Sequence, residues 1–584
     1  MTNPLRSLGH AATVAVAAGL VVIVPLAAQN APGRASGAIP AAADAATVAH
    51  VLNRLGYGPR QGDIARVQQM TLAAYVDEQL HPERIADVAL QAKLAAYPTI
   101  NLSTEEIARD YYAPAEALRR AEKQAAPPAP PGSMAGDPMM AGQPPPRPPD
   151  ANQSPELRAA RQKEQQVLQD LMQARMVRAI SSERQLEEVL VDFWFNHFNV
   201  FSGKGQVRVY LTEYERDAIR PYVLGSFRDM LGAVAESPAM LFYLDNFQNV
   251  DPKAAQRQAD QQEARMRQAA SRGRGAGQRA DPRQGQNPPD NRTPAERIQQ
   301  LRTRGLNENY ARELMELHTI GVDAGYTQDD VVAVARAFTG WTITQPRDGG
   351  TFQFNAVMHD NDPKVVLGTT IKAGGKKDGE AVLDLLAAHP STAKFLATKL
   401  ARRLVSDEPP AAVVARAARV FLETKGDLRE MTRSIITSPE FFSAEARRAK
   451  VKTPLEFVAS AVRASNAAVN NPQQLVQALR TLGMPLYGAQ PPTGWGDTAM
   501  DWVNTGALLN RLNFSVQLAG NQLRGVRVMV RDLAADTSEA SRNALVEALL
   551  LGTVSDVTRD TLAKAESPQQ LLALTLGSPE FQKR

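Results

Sequence analysis

Asn307-Glu-Asn-Tyr-Ala-Arg-Glu-Leu-Met-Glu-Leu-His-Thr-Ile-Gly321 is the stretch from which the rest of this chain is best read. Tyr310, Leu314 and Leu317, with Leu306 before them, recur at three- and four-residue spacing. That is the period of a helix laying one apolar stripe on a core. Beside it Asn309, Glu313 and Glu316 fall at i, i+4 and i+7, with Arg312 next to them, so the polar groups share a face too. A surface helix ordinarily spreads its charges around the solvent side. A second, polar stripe marks a surface being organised. Gly321 reads as the glycine that ends the helix, and His318 sits in the last turn, where a protonated imidazole interacts well with the helix dipole.

The same period runs outward in both directions. It predicts helices over residues 46–55, 61–80, 157–178, 183–198 and 211–229, the last broken near Pro221. Beyond the opening stretch it predicts helices over 294–317, 327–338, 379–388, 391–404, 411–424, 427–437, 454–465, 472–482, 505–518, 538–551 and 555–565. Thr327-Gln-Asp-Asp330 starts its helix as a near capping box. Ser-Pro pairs at 237–238, 438–439 and 578–579 each follow an apolar stretch and read as helix starts. Strand chemistry is confined to one region, Thr351–Asn355 and Lys364–Lys372, which predicts a small hairpin near 351–372. The expected fold class is mainly α: a large multi-helix domain with one small β-hairpin excursion and two disordered inserts.

Composition sets those inserts. Residues 124–156 are rich in Pro, Gly, Met and Ala, and residues 250–294 in Gln, Arg, Asp and Gly, both with few large apolar side chains. Neither can bury enough surface to offset the entropy of ordering it. They divide the helical core into parts at 46–123, 157–249 and 295–584. The 584 residues carry 66 Lys and Arg against 62 Asp and Glu, a net charge of +4. Between Asp251 and Arg292 alone there are nine basic residues and five acidic ones, so the excess of one insert equals the whole net charge. No folded segment shows the basic stripe of a nucleic-acid binder, and a solvated linker accounts for the basic insert.

Arg6, an apolar run from Ala11 to Leu26 and the small residues Ala27 and Ala28 read as a secretory signal peptide over residues 1–28. No later segment is apolar and long enough to span a bilayer. A periplasmic or secreted location is therefore expected. The chain has no cysteine, which removes thiolate metal sites, iron–sulfur clusters and cysteine nucleophiles. Any metal would be held by His, Asp, Glu or Asn.

Val191-Asp-Phe-Trp-Phe-Asn-His-Phe-Asn-Val-Phe201 is too aromatic to lie on a surface, yet it carries Asp192, Asn196 and His197. Buried polar groups persist when hydrogen-bonded or bound to something, so the segment is either a polar brace or a binding site. His359 and Asp360 lie in an Asp-rich loop after the strand region. His197, His318, His359 and Asp360 together suit a divalent ion such as Zn, Mn or Fe, with Glu313 or Glu316 as general base. Asp192, Asn196, Asn309 and Arg312 would complete the binding surface. Spacing argues the other way: there is no His-Glu-x-x-His, and Glu316 and His318 are two residues apart, on opposite sides of a helix. Hydrolase and phosphate-loop signatures are missing as well. The four tryptophans, Trp194, Trp341, Trp495 and Trp502, are expected in the core, with a sugar-stacking platform as the alternative.

Several segments jointly resemble the bacterial exported domain-of-unknown-function family 1800. They include His50-Val-Leu-Asn-Arg-Leu-Gly-Tyr-Gly-Pro59, Phe193-Trp-Phe-Asn-His-Phe198, Asn307 to His318 and Ala335-Arg-Ala-Phe-Thr-Gly-Trp341. His359-Asp360, Lys364, His389-Pro-Ser-Thr-Ala393, Lys399-Leu400 and Lys452-Thr-Pro-Leu-Glu456 extend the match. Pro491-Pro-Thr-Gly-Trp495 is a shorter form of the loop associated with that family. The resemblance implies export and, as a partner, a secreted sulfatase-like protein; it implies no activity. Two functions are therefore expected: a helical binding or scaffold protein of the cell envelope, or a metal-assisted hydrolase built on the His/carboxylate cluster.

Overall fold

The computed structural model describes residues 39–125, 154–272, 293–345 and 348–584. α1 (Ala45–Arg54) starts at Asp44, whose carboxylate accepts from the Thr47 amide at 2.7 Å. α2 (Pro155–Ser181) starts from Ser154 with a proline in its first turn. α3 (Gln185–His197) carries the aromatic run and buries almost every side of itself, Phe193, Trp194, Phe195 and His197 included. α4 (Val207–Glu213) runs into a π-turn over Tyr214–Ile219. α5 is Pro252–Arg272, and α6 (Glu308–Glu313) likewise runs into a π-turn, Leu314–His318. π-turns insert a residue into the helical register and are common near functional sites.

α7 (Gln328–Ala337) opens on the expected capping box, Thr327 with Asp330. α8 (Lys377–Ala387), α9 (Pro390–Leu404) and α10 (Pro454–Ala464) follow, then α11 (Thr505–Ala519), α12 (Glu539–Leu550) and α13 (Pro568–Gly577). A single contiguous apolar cluster extends from Val48 to Phe581. The helical parts before and after the inserts therefore build one core.

The mainly helical reading holds, and five details differ. The 61–80 helix is two, Asp63–Met70 and Leu72–Leu80, because Thr71 takes a positive φ of 77° and caps the second through its hydroxyl. The 294–317 helix also divides, into Pro294–Arg302 and α6: Asn307 leaves helical geometry to accept from the Asn309 amide at 2.9 Å and to donate to Leu244 O at 2.8 Å. Residues 252–272, assigned to an insert by composition, form α5. Ala254, Ala255 and Ala259 bury its inner side, and alanine with Gln, Arg and Glu makes a strong helix former without large apolar residues. Residues 126–153 and 273–292 of the two inserts, like the signal segment, lie outside the described residues. Of the Ser-Pro pairs, Ser237-Pro238 starts a helix, whereas Ser438 and Ser578 accept from the amides of Phe441 and Phe581 in simple turns.

The strand region holds two hairpins rather than one. β1 (Trp341–Ile343) pairs antiparallel with β2 (Phe352–Phe354), Trp341 opposite Phe354. β3 (Lys364–Val366) pairs with β4 (Thr369–Ile371) across Leu367 and Gly368. Those two residues have φ of 48° and 75°, the positive pair that a tight two-residue hairpin requires. β5 (Ala468–Val469) and β6 (Val526–Arg527) make a third short pair.

A chain of buried ion pairs crosses the core. Glu188 meets Arg220 at 2.7 Å, Arg220 meets Glu215 at 3.6 Å, and Glu215 meets Arg175 at 3.0 Å. Arg175 continues to Asp192 at 2.6 Å, Asp192 to Arg403 at 3.0 Å, Arg403 to Glu456 at 2.9 Å, and Glu456 to Arg584 at 2.9 Å. These residues sit on α2, α3, the π-turn after α4 and the 3-10 turn that follows it, α9, α10 and the final residue, so the pairs tie both halves of the sequence together. Removing an inner member leaves each neighbour with one opposite charge fewer and a hydrogen bond unmade in a dry interior, a loss of about 1–3 kcal/mol. Asp192→Ala, which leaves Arg175 to Glu215 and Arg403 to Glu456 and Asp497, is expected to lower unfolding stability by an amount of that order. Urea denaturation against the wild type checks it; a change below about 1 kcal/mol would show the chain to be dispensable.

Candidate functional site

Because α3 is buried on nearly all sides, each of its polar groups must find an internal partner. Asp192 lies between Arg175 and Arg403. One turn on, Asn196 clamps a distant loop: its Nδ2 donates to Trp495 O at 2.8 Å and its Oδ1 accepts from Trp495 N at 2.7 Å. Asn199 Nδ2 donates to Ala489 O at 3.0 Å and Pro491 O at 2.9 Å. The Pro491–Trp495 loop is thus held against α3. Gly494 makes this possible. Its φ is +71°, and a Cβ there would lie 2.5 Å from Asn196 O and Oδ1.

His197 is oriented by what it touches. Its Nε2 lies 3.1 Å from the carbonyl of His318, which can only accept, so Nε2 carries the proton. Nδ1 is then the acceptor for Lys399 Nζ, at 2.9 Å. Burial, then Lys399, hold the His197 imidazole well below its usual range. Burial and Lys399 likewise push His318 down to about 3. Both rings are therefore neutral near pH 7, and the favourable dipole interaction expected of a charged His318 is not made. Its Nε2 is buried without a hydrogen-bond partner.

Lys399 projects from α9 beside these two neutral rings. Burial lowers its ammonium from 10.5 to about 8; Asp497 opposes the shift and Arg402 adds to it. No carboxylate among the described residues comes within ion-pair distance of it. The nearby acids are already committed: Asp192 and Asp497 contact Arg403 at 3.0 and 3.4 Å, and Asp501 caps Thr498 at 2.9 Å. Lys399, His197 and Asn196 line a cleft of about 350 Å³, together with Phe193, Arg402 and Trp495. Its size is that of a small-molecule site. Trp194 and Trp341 lie in the core as expected, whereas Trp495 is half-exposed on the cleft and faces Trp502 at 6.2 Å.

The other expected site residues lie elsewhere. Asn309 is exposed. Arg312 spans Glu308 and Glu316 at 3.7 and 3.4 Å and donates to Gln328 at 3.0 Å. Glu316 accepts from Tyr326 OH at 2.5 Å. Glu313 is half-buried, its carboxyl raised by burial and by Glu316. None of the four lines the cleft.

His359 and Asp360 belong to a separate buried network. His359 Nδ1 points at Thr339 O, 2.8 Å away, and Nε2 at Asp378 Oδ2, 3.1 Å away. Both ring nitrogens are thus turned toward oxygens of the protein rather than toward an open position where an ion could bind. Lys364 Nζ shares Asp378 Oδ2 at 2.5 Å. Asp360 accepts from Arg336 Nε at 2.6 Å and from the Asp362 amide at 2.8 Å. The expected metal centre of His197, His318, His359 and Asp360 with Glu313 or Glu316 is corrected accordingly. Among the described residues no three His, Asp or Glu side chains are grouped to hold an ion, and at His197 the position a metal would need is filled by a lysine ammonium.

Sequence reading had brought Asp192, Asn196 and His197 to one place correctly but missed their partners. Lys399 and Arg403 stand one turn apart on α9, beside the apolar stripe Leu396, Leu400 and Leu404. Two cations at i and i+4 on the edge of a buried stripe were the available signal.

Fold and cleft together define a helical protein with a ligand-sized polar cleft set on a charge-paired core. The chain belongs to the family described as protein of unknown function (DUF1800), whose family model matches residues 50–583. No curated protein and no solved structure matches the chain.

The Lys399 ammonium predicts a pH signature. Its folded value of about 8 lies below the ordinary 10.5, so between those limits the unfolded chain binds more protons and the lysine's penalty on the folded state fades as pH rises. Relative to Lys399→Met, the wild type should gain stability from pH 8 to 10.5, by on the order of 3 kcal/mol. Urea midpoints of both proteins across that interval check it; a constant difference would show an ordinary lysine.

Proposed function

We propose that this is an exported cell-envelope binding protein whose cleft captures a small ligand bearing an anionic group, paired to Lys399. The observation that carries this reading is a half-buried cation facing a cleft with no carboxylate in contact. A charge so placed is costly unless something of opposite sign joins it. His197 serves as a positioning residue: as the proton-donating Nε2 tautomer it holds Lys399 through Nδ1 without neutralising it. Trp495 offers a flat apolar wall against which the C–H face of a sugar ring packs, so an acidic sugar fits the chemistry.

Galacturonate is expected to bind the mature protein, with galactose at least tenfold weaker. Lys399→Ala should remove the difference between the two sugars, and Trp495→Ala should weaken both. Isothermal titration calorimetry reads all four; equal affinity of the wild type for both sugars overturns the reading.

Lys399 also favours a second reading. An amine held at about 8 keeps an appreciable neutral fraction near neutral pH, the state a general base needs. An enzyme working through Lys399 is therefore the alternative with support, ahead of the metal-assisted hydrolase, whose donors are engaged elsewhere. Stoichiometric zinc, manganese or iron in the purified protein, lost in His318→Ala, would restore the hydrolase.

Export rests on the signal-like residues 1–28. No described helix is long and apolar enough to cross a membrane. Mass spectrometry of the periplasmic fraction is expected to find a mature chain starting close to Gln29; a chain beginning at Met1 in the cytoplasm refutes export. The secreted sulfatase-like partner is part of the same proposal, and co-purification of the two exported proteins tests it.

A further inference from the structure

A second cleft, of about 400 Å³, shares no lining residue with the first. It forms where α1 and the Gly58–Ile64 turn meet α10, the end of α12 and Phe581. Six cations line it, Arg60, Arg447, Arg448, Lys452, Lys583 and Arg584, against one carboxylate, Glu580. Part of that excess is answered locally. Arg60 pairs with Glu183 at 2.7 Å and Arg584 with Glu456 at 2.9 Å. Arg448 donates to the carbonyls of Leu550 and Thr553 at 2.7 and 3.1 Å, and Arg447 to the Thr47 hydroxyl at 2.9 Å.

Lys452 is not answered. It is 4% exposed, and its Nζ stands 3.9 Å from the centroid of the Phe581 ring, itself a wall of the cleft. It makes no ion pair or hydrogen bond from that ammonium to any described residue. A cation over an aromatic face recovers only part of its lost hydration. One side of the lining is apolar, with Ile64, Ala464, Leu549 and Leu551, while Asn53, Gln61, Ser460 and Thr553 are polar. We propose that this cleft binds a single-chain anionic amphiphile, the head group paired with Lys452 and the hydrocarbon chain lying along the Leu549–Leu551 wall.

The charges around Lys452 agree with an unfilled anion position. Burial lowers its ammonium to about 7; Glu456 opposes this, while Arg584, Arg511 and Arg448 add repulsion. His50, on the same lining, is pushed down to about 3 by burial and Arg54, so it adds no charge. An apolar ligand without a head group would leave Lys452 as it is. A head group without a chain would leave the apolar wall wet.

Calorimetric titration of the full chain with dodecanoate, kept below its micelle concentration, tests the proposal, with dodecanol and acetate as the chain and head alone. Saturable one-to-one binding of dodecanoate is expected, with dodecanol and acetate at least tenfold weaker. Lys452→Met should lose tenfold or more in dodecanoate affinity. Ala548→Glu places a carboxylate on an exposed lining residue, avoids any core change, and should lose a similar factor for dodecanoate but not for dodecanol. Should Lys452→Met fail to fold, Ala548→Glu decides alone. Equal binding of dodecanol and dodecanoate, unchanged affinity in Ala548→Glu, or binding only to phosphatidylglycerol vesicles and not to dodecanoate would each overturn it.

Discussion

Everything in this molecule is arranged around an alternating file of buried charges, Glu188–Arg220–Glu215–Arg175–Asp192–Arg403–Glu456–Arg584. Charges taken out of water are tolerated only in strict alternation and with their remaining hydrogen bonds met. Tyr487 OH, bonded to Glu215 at 2.6 Å, and the Thr453 amide, bonded to Glu456 at 2.8 Å, supply some of the latter. Such a file has no slack. A helix that slid by one turn would break several pairs at once, so the file acts as a register for α2, α3, α9 and α10. The apolar cluster drives those helices together, and the ion pairs select one way of doing it.

The cleft at Lys399 follows from what that file leaves out. Asp192 and Asp497 are drawn to Arg403, so Lys399, a turn earlier on the same helix, is left beside a neutral histidine. Had either aspartate turned to Lys399, Arg403 would have been left to its remaining carboxylates, Glu456 among them, and the cleft would have lost its free charge. The loop carrying Trp495 completes the arrangement because Asn196 satisfies both backbone groups of that residue and Gly494 allows the approach. Structural and candidate ligand-binding polar groups thus alternate along one turn of α3: Asp192 braces, Asn196 clamps, His197 orients.

The helical class was legible because period, capping residues and turn residues are local properties; the Thr327 capping box and the bounds of α3 and α9 came close to their predicted places. Misreadings arose where local composition was a poor proxy for contact. Residues 252–272 lack large apolar side chains, yet alanines suffice against a neighbouring helix, and Ala254 and Ala255 pack with Val250 and Met358. The site divided for a related reason. His359 resembled His197 in being a histidine among polar neighbours, but His197 accepts from Lys399 in a cleft, whereas both ring nitrogens of His359 face Thr339 O and Asp378 Oδ2 in the core. Nothing within a few residues of either distinguishes them.

From its residues alone the chain declared a helical, cysteine-free body, a signal-like start, a buried aromatic helix bearing Asp192, Asn196 and His197, and kinship with one family. Those are consequences of spacing and side-chain chemistry, which act within a turn or two. Which cation went unpaired was settled only by the tertiary structure. Lys399 and His197 are 202 residues apart, and Asn196 and Trp495 are 299 apart. The partner of a buried charge depends on which helices the whole core brings alongside it, and that competition among Arg403, Lys399, Asp192 and Asp497 exists only once the fold has formed.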